Sequence, residues 1–352
     1  MNPFAWPLQV ASLVWELGEL HAVQGQVVEE LGFGHRFFQY DEPIPDGTDI
    51  VLVQGPYGSL LPLASQLGSM SGLTRPVLAY WFGESLQLFR YDLVTRASAA
   101  LFTELSKKTP RNQSNTNHSS GVSRFNLSRR GHRLGFLGDM FWLNAHGLLD
   151  VLALCSSVYA EYLYSRGIDS WVVPRGYHSN YGRLLDLNRD ITLLWMGKPR
   201  SKRRRTWINR LQHELESMGE QMHVYDGIEN DFIFGEQRTQ LLNRTKFVLN
   251  LNAYGKMDEL SIRYFIAAAN GAVILREPND NQYPFVPGKH LVECAPEQMA
   301  EVIAHYLNRP DELEKISANM RQLVTTDLTL SKSLETILER ATSIFLSRRG
   351  DT

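Results

Sequence analysis

Short apolar segments with strand character alternate with longer helix-like segments along most of this 352-residue chain, and this alternation constrains the fold most strongly. Asp49–Gln54 (DIVLVQ), Pro76–Phe82 (PVLAYWF) and Ile191–Trp195 (ITLLW) have the length and composition of buried strands, and a helix-like segment follows each of them. Strands separated by helices predict parallel sheets covered by helices. The sequence therefore predicts an α/β fold built from doubly wound, Rossmann-like units.

The length of the chain predicts two domains. A hydrophobic content of 43% is enough for two separate cores. The β/α pattern begins again at Ile191–Trp195, which Gly197 follows, so we assign an N-terminal domain to residues 1–185 and a C-terminal domain to residues 186–328. Residues 329–352 form an amphipathic helix that we expect to pack back on the N-terminal domain.

A basic segment, residues 107–135, interrupts the β/α pattern of the first domain. It is rich in Ser, Asn and Arg, and no acidic residue occurs between Glu104 and Asp139. This composition predicts a mobile loop. The segment is either a solvated insertion or a mobile lip that meets an anionic acceptor, a membrane or a nucleic acid.

Composition also limits the location and the partners of the protein. The formal net charge of -2 provides no overall field that would favour nucleic acid. Two cysteines, Cys155 and Cys294, cannot form a disulfide framework and indicate a reducing compartment. The N-terminal residues lack the basic region of a signal peptide, and no apolar run reaches the roughly 18 residues of a membrane span. We expect a cytoplasmic protein, either free or peripheral to the membrane.

The sequence lacks the motifs of several enzyme classes. Without G-x-G-x-x-G or G-x-x-x-x-G-K-[ST], a nicotinamide dehydrogenase and a P-loop kinase are disfavoured. Without H-E-x-x-H or paired C-x-x-C, a dedicated zinc site is also disfavoured. Without G-x-S-x-G, an α/β-hydrolase is disfavoured as well. The D-x-D pair that commonly holds a metal–nucleotide diphosphate is missing as well. We therefore expect neither a metal nor a cofactor.

The segment Leu241–Asn281 is the most informative about function. It has the pattern strand, loop, helix, glycine, strand, and it places Arg263 in the first turn of the helix, after a loop that contains Asp258, Glu259 and Ser261. A helix N-terminus attracts anions, and cationic side chains usually avoid it. Arg263 therefore indicates either an anionic ligand or a surface ion pair with Asp258 or Glu259.

A basic run follows the strand Ile191–Trp195. Gly197 lets the backbone approach a ligand, and lysine or arginine neutralises phosphate charge. Most of the run is expected to form a solvated face, whereas Arg203 is favoured to face the ligand. The basic residues of the run are Lys198, Arg200, Lys202, Arg203, Arg204 and Arg205. After the run the pattern predicts a helix over Thr206–Ser217, a strand over Met222–Tyr225 and a helix over Gly235–Asn243.

The order of these signals resembles the GT-B glycosyltransferases of group 1 type, and most of all the subset that includes the CgeB-like spore-maturation glycosyltransferases. The resemblance covers about the last two-thirds of the chain and rests on Leu149–His178, Leu193–Arg204 and, most specifically, Leu241–Leu275. It implies two doubly wound domains facing each other across a cleft. The C-terminal domain would hold a nucleotide diphosphate sugar, and the N-terminal domain would hold a hydroxyl-bearing acceptor. The implied reaction is transfer of the sugar, expected to be a hexose, without a metal ion.

The resemblance also implies roles for individual residues. Asp258 and Glu259 would approach the donor sugar, and Arg263 the phosphates. Ile266 stands where the family often has a ribose-binding glutamate, and an isoleucine cannot accept hydrogen bonds. Either another group holds the ribose, or the donor differs, or catalysis is lost. Asn270 is either a helix C-cap or a ligand contact. The expected donor-binding residues are Gly197, Lys198, Arg203, Tyr254, Asp258, Glu259, Ser261, Arg263 and Asn270.

Sugar transfer requires a stabilised leaving diphosphate and a positioned acceptor hydroxyl. The basic residues of the C-terminal domain would serve the diphosphate. Glu84, directly after the strand Pro76–Phe82, is the first candidate for a base that deprotonates the hydroxyl, and Asp139 and His178 are the next. Glu84 is alternatively an acid at a helix N-terminus, and Asp139 and His178 are alternatively capping or packing residues.

The sequence is compatible with three functions. The first is a glycosyltransferase. The second is a degenerate GT-B protein that binds a glycan or a partner without turnover, which Ile266 suggests. The third is a glycosyltransferase that acts on DNA or another anionic polymer, which the basic segment 107–135 suggests. The acceptor is accordingly an anionic glycan, a lipid-linked molecule or a nucleic acid.

Overall fold

A computed structural model describes residues 7–14, 17–55, 59–108, 125–199, 201–228, 230–252, 261–280 and 283–350. The chain forms two compact units, one of Met1–Val173 with Leu334–Thr352 and one of Pro174–Ser333. The first unit ends ahead of the predicted boundary at residue 185, because the segment that follows Pro174 bonds to elements of the second unit. The backbone carbonyl of Tyr181, for example, accepts a hydrogen bond from the side chain of Asn270 at 3.1 Å.

The first unit contains a six-stranded parallel sheet. Its strands are β1 (Gln9–Val14), β2 (Gly34–Gln39), β3 (Ile50–Gly55), β4 (Val77–Phe82), β5 (Val151–Leu154) and β6 (Trp171–Val172), in the spatial order β2-β1-β3-β4-β5-β6. All six residues of β4 are buried, as is typical of a parallel strand with both faces covered. β2 was not predicted, because only Phe38 of this edge strand is buried and its apolar pattern is weak.

Helices in the described part of the first 173 residues accompany this sheet. They are α1 (Glu19–Glu30), α2 (Leu61–Ser69), α3 (Asp92–Lys108), α4 (Phe125–Ala145) and α5 (Ser157–Tyr164). The prediction of a loop over residues 107–135 is wrong from residue 125 onward, where the chain is helical, and residues 109–124 lie outside the described part. Leu134, Leu137 and Met140 are buried at helical spacing, and this apolar stripe holds α4 against α3. A Cβ on Gly138 would lie 2.4 Å from the carbonyl oxygen of Ala99, so the close approach of the two helices requires glycine.

The second unit contains a five-stranded parallel sheet. Its strands are β7 (Ile191–Met196), β8 (Met222–Tyr225), β9 (Thr245–Asn250), β10 (Val273–Arg276) and β11 (Val292–Glu293), in the spatial order β11-β10-β9-β7-β8. Its helices are α6 (Lys202–Ser217), α7 (Gly235–Asn243), α8 (Ile262–Ala269), α9 (Met299–Leu307) and α10 (Pro310–Gln322), and a π-helical turn, Leu323–Asp327, follows α10.

The last helix, α11 (Leu330–Arg349), begins in the second unit and belongs to the first unit from Leu334 onward. Arg348 near its end pairs with Asp150, the residue before β5, and Arg75 binds the same carboxylate at 3.0 Å. Because the Asp150 side chain is only 5% exposed, these two arginines supply the charge that this buried carboxylate needs. No helix in the described ranges has the length and apolar character needed to cross a membrane.

The two sheets share one topological feature. In each, the second strand lies on one side of the first, and the third strand lies on the other side. The order therefore reverses between β1 and β3 in the first unit and between β7 and β9 in the second. In open parallel sheets, ligands bind outside the carboxyl ends of the strands at such a switch point. A ligand of the second unit is thus expected to bind at the loops after β7 and β9.

Candidate functional site

Two helix N-termini flank the switch point of the second unit. α6 follows β7, and its N-cap Ser201 accepts a hydrogen bond from the backbone N–H of Arg204 at 3.1 Å. α8 follows β9, and its N-cap Ser261 accepts from the backbone N–H of Arg263 at 3.3 Å. Because both helices begin at the carboxyl edge of the sheet, their positive dipole ends lie at this edge. We call this edge the β7/β9 site.

Arg263 joins the two strands of the switch point. Its Nη1 donates to Oδ1 of Asn250, the last residue of β9, at 2.6 Å, and its Nη2 donates to the carbonyl of Met196, the last residue of β7, at 2.7 Å. The guanidinium carbon lies 4.9 Å from the ring centroid of Trp195. Gly197 has a φ of +109°, and a Cβ there would lie 3.3 Å from Nη2 of Arg263, so a glycine suits this position best. The arginine is therefore fixed where the fold places ligands.

Arg203 lies at the same edge but is paired with Glu277, which follows β10. Its Nη1 lies 2.9 Å from Oε1 of Glu277, its Nη2 contacts Oε2, and its Nη1 also reaches the carbonyl of Asn252 at 3.4 Å. The hydrogen bonds to Glu277 raise the pKa of Arg203. Glu277 is buried and also accepts from the backbone N–H of Asn252 at 2.8 Å. Arg203 therefore ties α6 to the ends of β9 and β10, and its charge is largely balanced.

The basic run is the beginning of α6 and not a loop before it. We predicted that the helix begins at Thr206, whereas it begins at Lys202. Nε of Arg204 donates to the carbonyl of Leu251 at 2.9 Å, and Nη1 of Arg205 donates to the carbonyl of Pro199 at 3.2 Å. These arginines thus anchor the helix start to the loops that follow β7 and β9.

Lys198 follows Gly197 in the loop after β7. Its Nζ lies 5.7 Å from the ring centroid of Phe232, within the range of a cation–π contact. Arg200, Tyr254, Asp258 and Glu259 lie outside the described residues.

Asn252 provides an acceptor at this edge. Its Nδ2 donates to the carbonyl of Pro278 at 2.9 Å, which orients the amide. Its Oδ1 is buried, and no donor in the described part of the chain lies within hydrogen-bond distance of it. Buried polar atoms in proteins nearly always have a partner, so this oxygen is suited to a donor from a ligand or a water molecule.

Asn270 does not belong to the β7/β9 site. It is the C-cap of α8, at the far end of that helix, and is fully buried. Its Nδ2 donates to the carbonyls of Tyr181 at 3.1 Å and Ile266 at 2.8 Å, and its Oδ1 accepts from Asn243 at 3.1 Å. A side chain with these partners cannot bind a donor, so of our two interpretations the structure supports the C-cap. Ile266 is buried in the same helix, with 8% of its surface exposed.

The three candidate bases occupy different environments. Glu84 is exposed in the irregular segment after β4, ahead of α3, so it is not an acid at a helix N-terminus. Asp139 on α4 is buried and accepts from the backbone N–H of Leu60, the N-cap of α2, at 3.0 Å. His178 belongs to the second unit, and its Nδ1 accepts from the backbone N–H of Asn180 at 3.2 Å. Asp139 and His178 therefore cap local structure, and Glu84 stays a predicted base.

Three residues of the β7/β9 site were not predicted: Asn250, Asn252 and Glu277. The two asparagines alternate in the segment LNLN, so the period of a strand places them on the same side. Glu277 directly follows a strand that was predicted correctly. Polar residues at the end of a buried strand are a signal that could have identified all three. Among the described residues, no group of three or more His, Cys, Asp or Glu side chains is arranged to hold a metal ion.

The chain is similar to a known protein family and to several solved structures. Residues 202–339 match the model of a family described as glycosyl transferase-like. No curated protein sequence matches the chain. A structure of HepE from Anabaena in complex with UDP and glucose is similar with a TM-score of 0.60 and 10% identity, covering 96% of this chain and 100% of that one. Sucrose-phosphate synthase from Thermosynechococcus elongatus has a TM-score of 0.59 and 10% identity, with 97% and 100% covered.

A third similar structure is AviGT4, a glycosyltransferase involved in avilamycin A biosynthesis, with a TM-score of 0.53 and 12% identity, covering 97% of this chain and 99% of that one. At these identities the likeness defines the fold. The predicted fold class is thus confirmed: two parallel-sheet, Rossmann-like domains, as in GT-B glycosyltransferase structures.

Proposed function

We propose that this protein is a glycosyltransferase that moves a sugar, a hexose by expectation, from a nucleotide diphosphate sugar to a hydroxyl-bearing acceptor. The observation that carries the proposal is the position of Arg263, which bridges the ends of β7 and β9 in the first turn of α8. Two capped helix N-termini lie at the same edge, and a diphosphate is the ligand whose charge suits them. The match of residues 202–339 to a glycosyl transferase-like family supports the same function.

The leaving diphosphate is the group that this site would stabilise. Negative charge develops on it as the glycosidic bond breaks, and fixed cationic groups stabilise that charge without having to reorganise. In our proposal Arg263, Lys198 and the N–H groups of the α8 N-terminus do this work. Arg203 contributes through its position, since it orients α6 while Glu277 balances its charge.

We propose a uridine nucleotide as the donor and catalysis without a metal ion. Support for uridine comes from HepE, which has a structure with UDP-glucose, and from the pneumococcal transferase GtfA, which has one with UDP and GlcNAc. Since Ile266 cannot accept hydrogen bonds from ribose hydroxyls, we assign one donor hydroxyl to Oδ1 of Asn252. Glu84 is the proposed base, and the cytoplasm is the proposed location.

Membership in the CgeB-like subset and the identity of the acceptor also remain proposals. Transfer to DNA or another anionic polymer rests on the basic segment 107–135, of which residues 109–124 lie outside the described part. Binding without turnover is the second candidate function. Ile266 favours it, because α8 has no carboxylate at the position where the family that this sequence resembles often has a ribose-binding glutamate.

A donor panel tests the proposal. The full-length chain is incubated with UDP-, GDP- and dTDP-sugars, with and without EDTA, and nucleotide release and thermal shift are measured. We expect UDP-sugars to raise the melting temperature and to be hydrolysed slowly with EDTA present. A thermal shift without release, with every acceptor tried, would favour the binding protein. If no nucleotide sugar causes either effect, the glycosyltransferase proposal is wrong.

A further inference from the structure

A cavity lies in the second unit, at the edge of the sheet opposite to the β7/β9 site. It encloses about 730 Å³. Lys246 at the beginning of β9 and Val273 at the beginning of β10 mark this amino edge, and α10 and the turn Leu323–Asp327 form the opposite wall. The volume lies within the roughly 300–1,000 Å³ that is typical of small-molecule sites. The cavity is therefore large enough for a ligand of its own.

The walls of this cavity combine apolar surface with positive charge. Leu184 and Leu187 line it and are 46% and 42% exposed. Arg189, Lys246 and Arg321 contribute three cations, whereas Glu314 is the acidic residue of the lining. Within the described ranges, no carboxylate forms a salt bridge with any of these three cations. The lining thus carries a net positive charge beside an apolar surface.

Arg189 contributes a positive charge that is bound to backbone groups. Its Nη1 donates to the carbonyl of Thr245 at 2.6 Å and to that of Leu242 at 3.2 Å, and its Nη2 donates to the carbonyl of Asn270 at 2.9 Å. Burial lowers the pKa of Arg189, because the charged form is partly removed from water. Carbonyl dipoles fix this guanidinium in place, and an anion in the cavity would stabilise its charge further.

Arg321 supplies an unused donor. Its Nε is buried, and no acceptor in the part of the chain that the structure describes lies within hydrogen-bond distance of it. Buried N–H groups without a partner are rare. The Arg321 side chain lines the cavity, so an acceptor that reaches this side chain would satisfy the free donor. The π-helical turn directly after α10 brings Thr325 and Thr326 to the same wall, and turns of this kind are frequent at functional sites.

We propose that this cavity binds an amphipathic anion, a molecule with a carboxylate, phosphate or sulfonate head on an apolar body. Arg321 would donate to the head group, Lys246 and Arg189 would balance its charge, and Leu184 and Leu187 would cover the apolar body. The site is distinct from the β7/β9 site, because the two lie at opposite ends of α8: Arg263 is in its first turn, and Gly271, which lines the cavity, directly follows its C-cap. The proposal does not depend on the donor or the reaction.

The test uses 8-anilinonaphthalene-1-sulfonate, a fluorescent amphipathic anion, with the full-length chain. We expect one saturable site. The double variant Lys246→Gln/Arg321→Gln should bind the probe about tenfold more weakly or worse, because charge-assisted hydrogen bonds contribute roughly 1.5–3 kcal/mol. Lys315→Gln is the matched control, since Lys315 is exposed on α10 but does not line the cavity. It should bind the probe as the unmodified chain does.

A second variant protects the test against unfolding. Ala318→Trp fills the cavity from the exposed side of α10 without removing a charge, and it should abolish probe binding while thermal unfolding is retained. Decanoate and decyl phosphate should each displace the probe, their relative affinities identifying the preferred head group, and decanol should not displace it. The proposal is overturned if both variants bind the probe like the control, or if decanol competes as well as decanoate.

Discussion

Nη1 of Arg263 donates to Oδ1 of Asn250 across 2.6 Å, and this bond connects the first turn of α8 to the last residue of β9. The other terminal nitrogen of the same guanidinium reaches the carbonyl of Met196 at the end of β7. One side chain thus spans the point where the strand order of the second sheet reverses. An arginine so fixed can stabilise charge without a large loss of conformational freedom.

Arg263→Ala should weaken the binding of UDP about tenfold to a hundredfold, because a hydrogen bond to a charged group contributes roughly 1.5–3 kcal/mol. Isothermal titration calorimetry measures the dissociation constant, and urea unfolding verifies that the variant is folded. The control is Arg210→Ala, whose arginine pairs with Glu214 on the exposed side of α6. An unchanged dissociation constant in folded Arg263→Ala would refute the assigned role.

The Arg203–Glu277 pair should have a larger coupling energy than a surface ion pair. The Glu277 side chain is 6% exposed, whereas the Arg183–Glu236 pair is exposed on both sides, at 62% and 53%. Double-mutant cycles with glutamine, followed by urea unfolding, measure both couplings. We expect about 1–3 kcal/mol for the first pair and less than about 1 kcal/mol for the second. Equal couplings would contradict the structural role assigned to Arg203.

Asn270→Ala should destabilise the protein and leave nucleotide binding intact. The substitution leaves the buried carbonyls of Tyr181 and Ile266 without a donor, and we expect a loss of about 2–4 kcal/mol in the free energy of unfolding. Asn308→Ala is the control, because that side chain donates to Ala304 on an exposed surface. If Asn270→Ala lowered the affinity for UDP and left stability unchanged, Asn270 would belong to the donor site after all.

His290 should make stability depend on pH. Burial lowers its pKa below the ordinary 6.5, and its Nδ1 accepts from the backbone N–H of Val286 at 3.1 Å, which requires the unprotonated nitrogen. The unfolded chain therefore binds a proton that the folded chain does not. The free energy of unfolding should fall as the pH decreases through 6.5 and should level off below the pKa of the folded state. Between these two values its slope should reach at most about 1.4 kcal/mol per pH unit.

Urea unfolding between about pH 5 and about pH 7 measures this slope. His290→Asn retains an acceptor near the same position but does not titrate, so its slope should be smaller. Burial also lowers the pKa of His35, so part of the slope should persist in this variant. Asn308→Ala, which follows α9 on an exposed surface and removes no titratable group, should have the slope of the unmodified chain. If the two variants have the same slope, His290 does not contribute.

The local sequence alone determined the β/α order and most of the element positions. β4, β8 and α7 agree closely with their predicted ranges. In β4 the reason is that all six residues are apolar and buried, which leaves a clear pattern. The start of α6 was misplaced because four consecutive basic residues are unusual at a helix N-terminus. Their contacts with the strand ends stabilise that start, and such contacts are long-range in sequence.

At the β7/β9 site the sequence pointed to Gly197, Lys198, Ser261 and Arg263. A glycine and a cation directly after a strand are local signals, and so are a cap and a cation at the start of a helix. Only the tertiary structure showed that Glu277 balances Arg203, that Asn250 and Asn252 complete the edge, and that Asn270 is enclosed by carbonyls at the other end of α8. The physical reason is that a side chain's partners depend on the strand order. The order β10-β9-β7 brings together residues that lie far apart along the chain, and no local pattern encodes that neighbourhood.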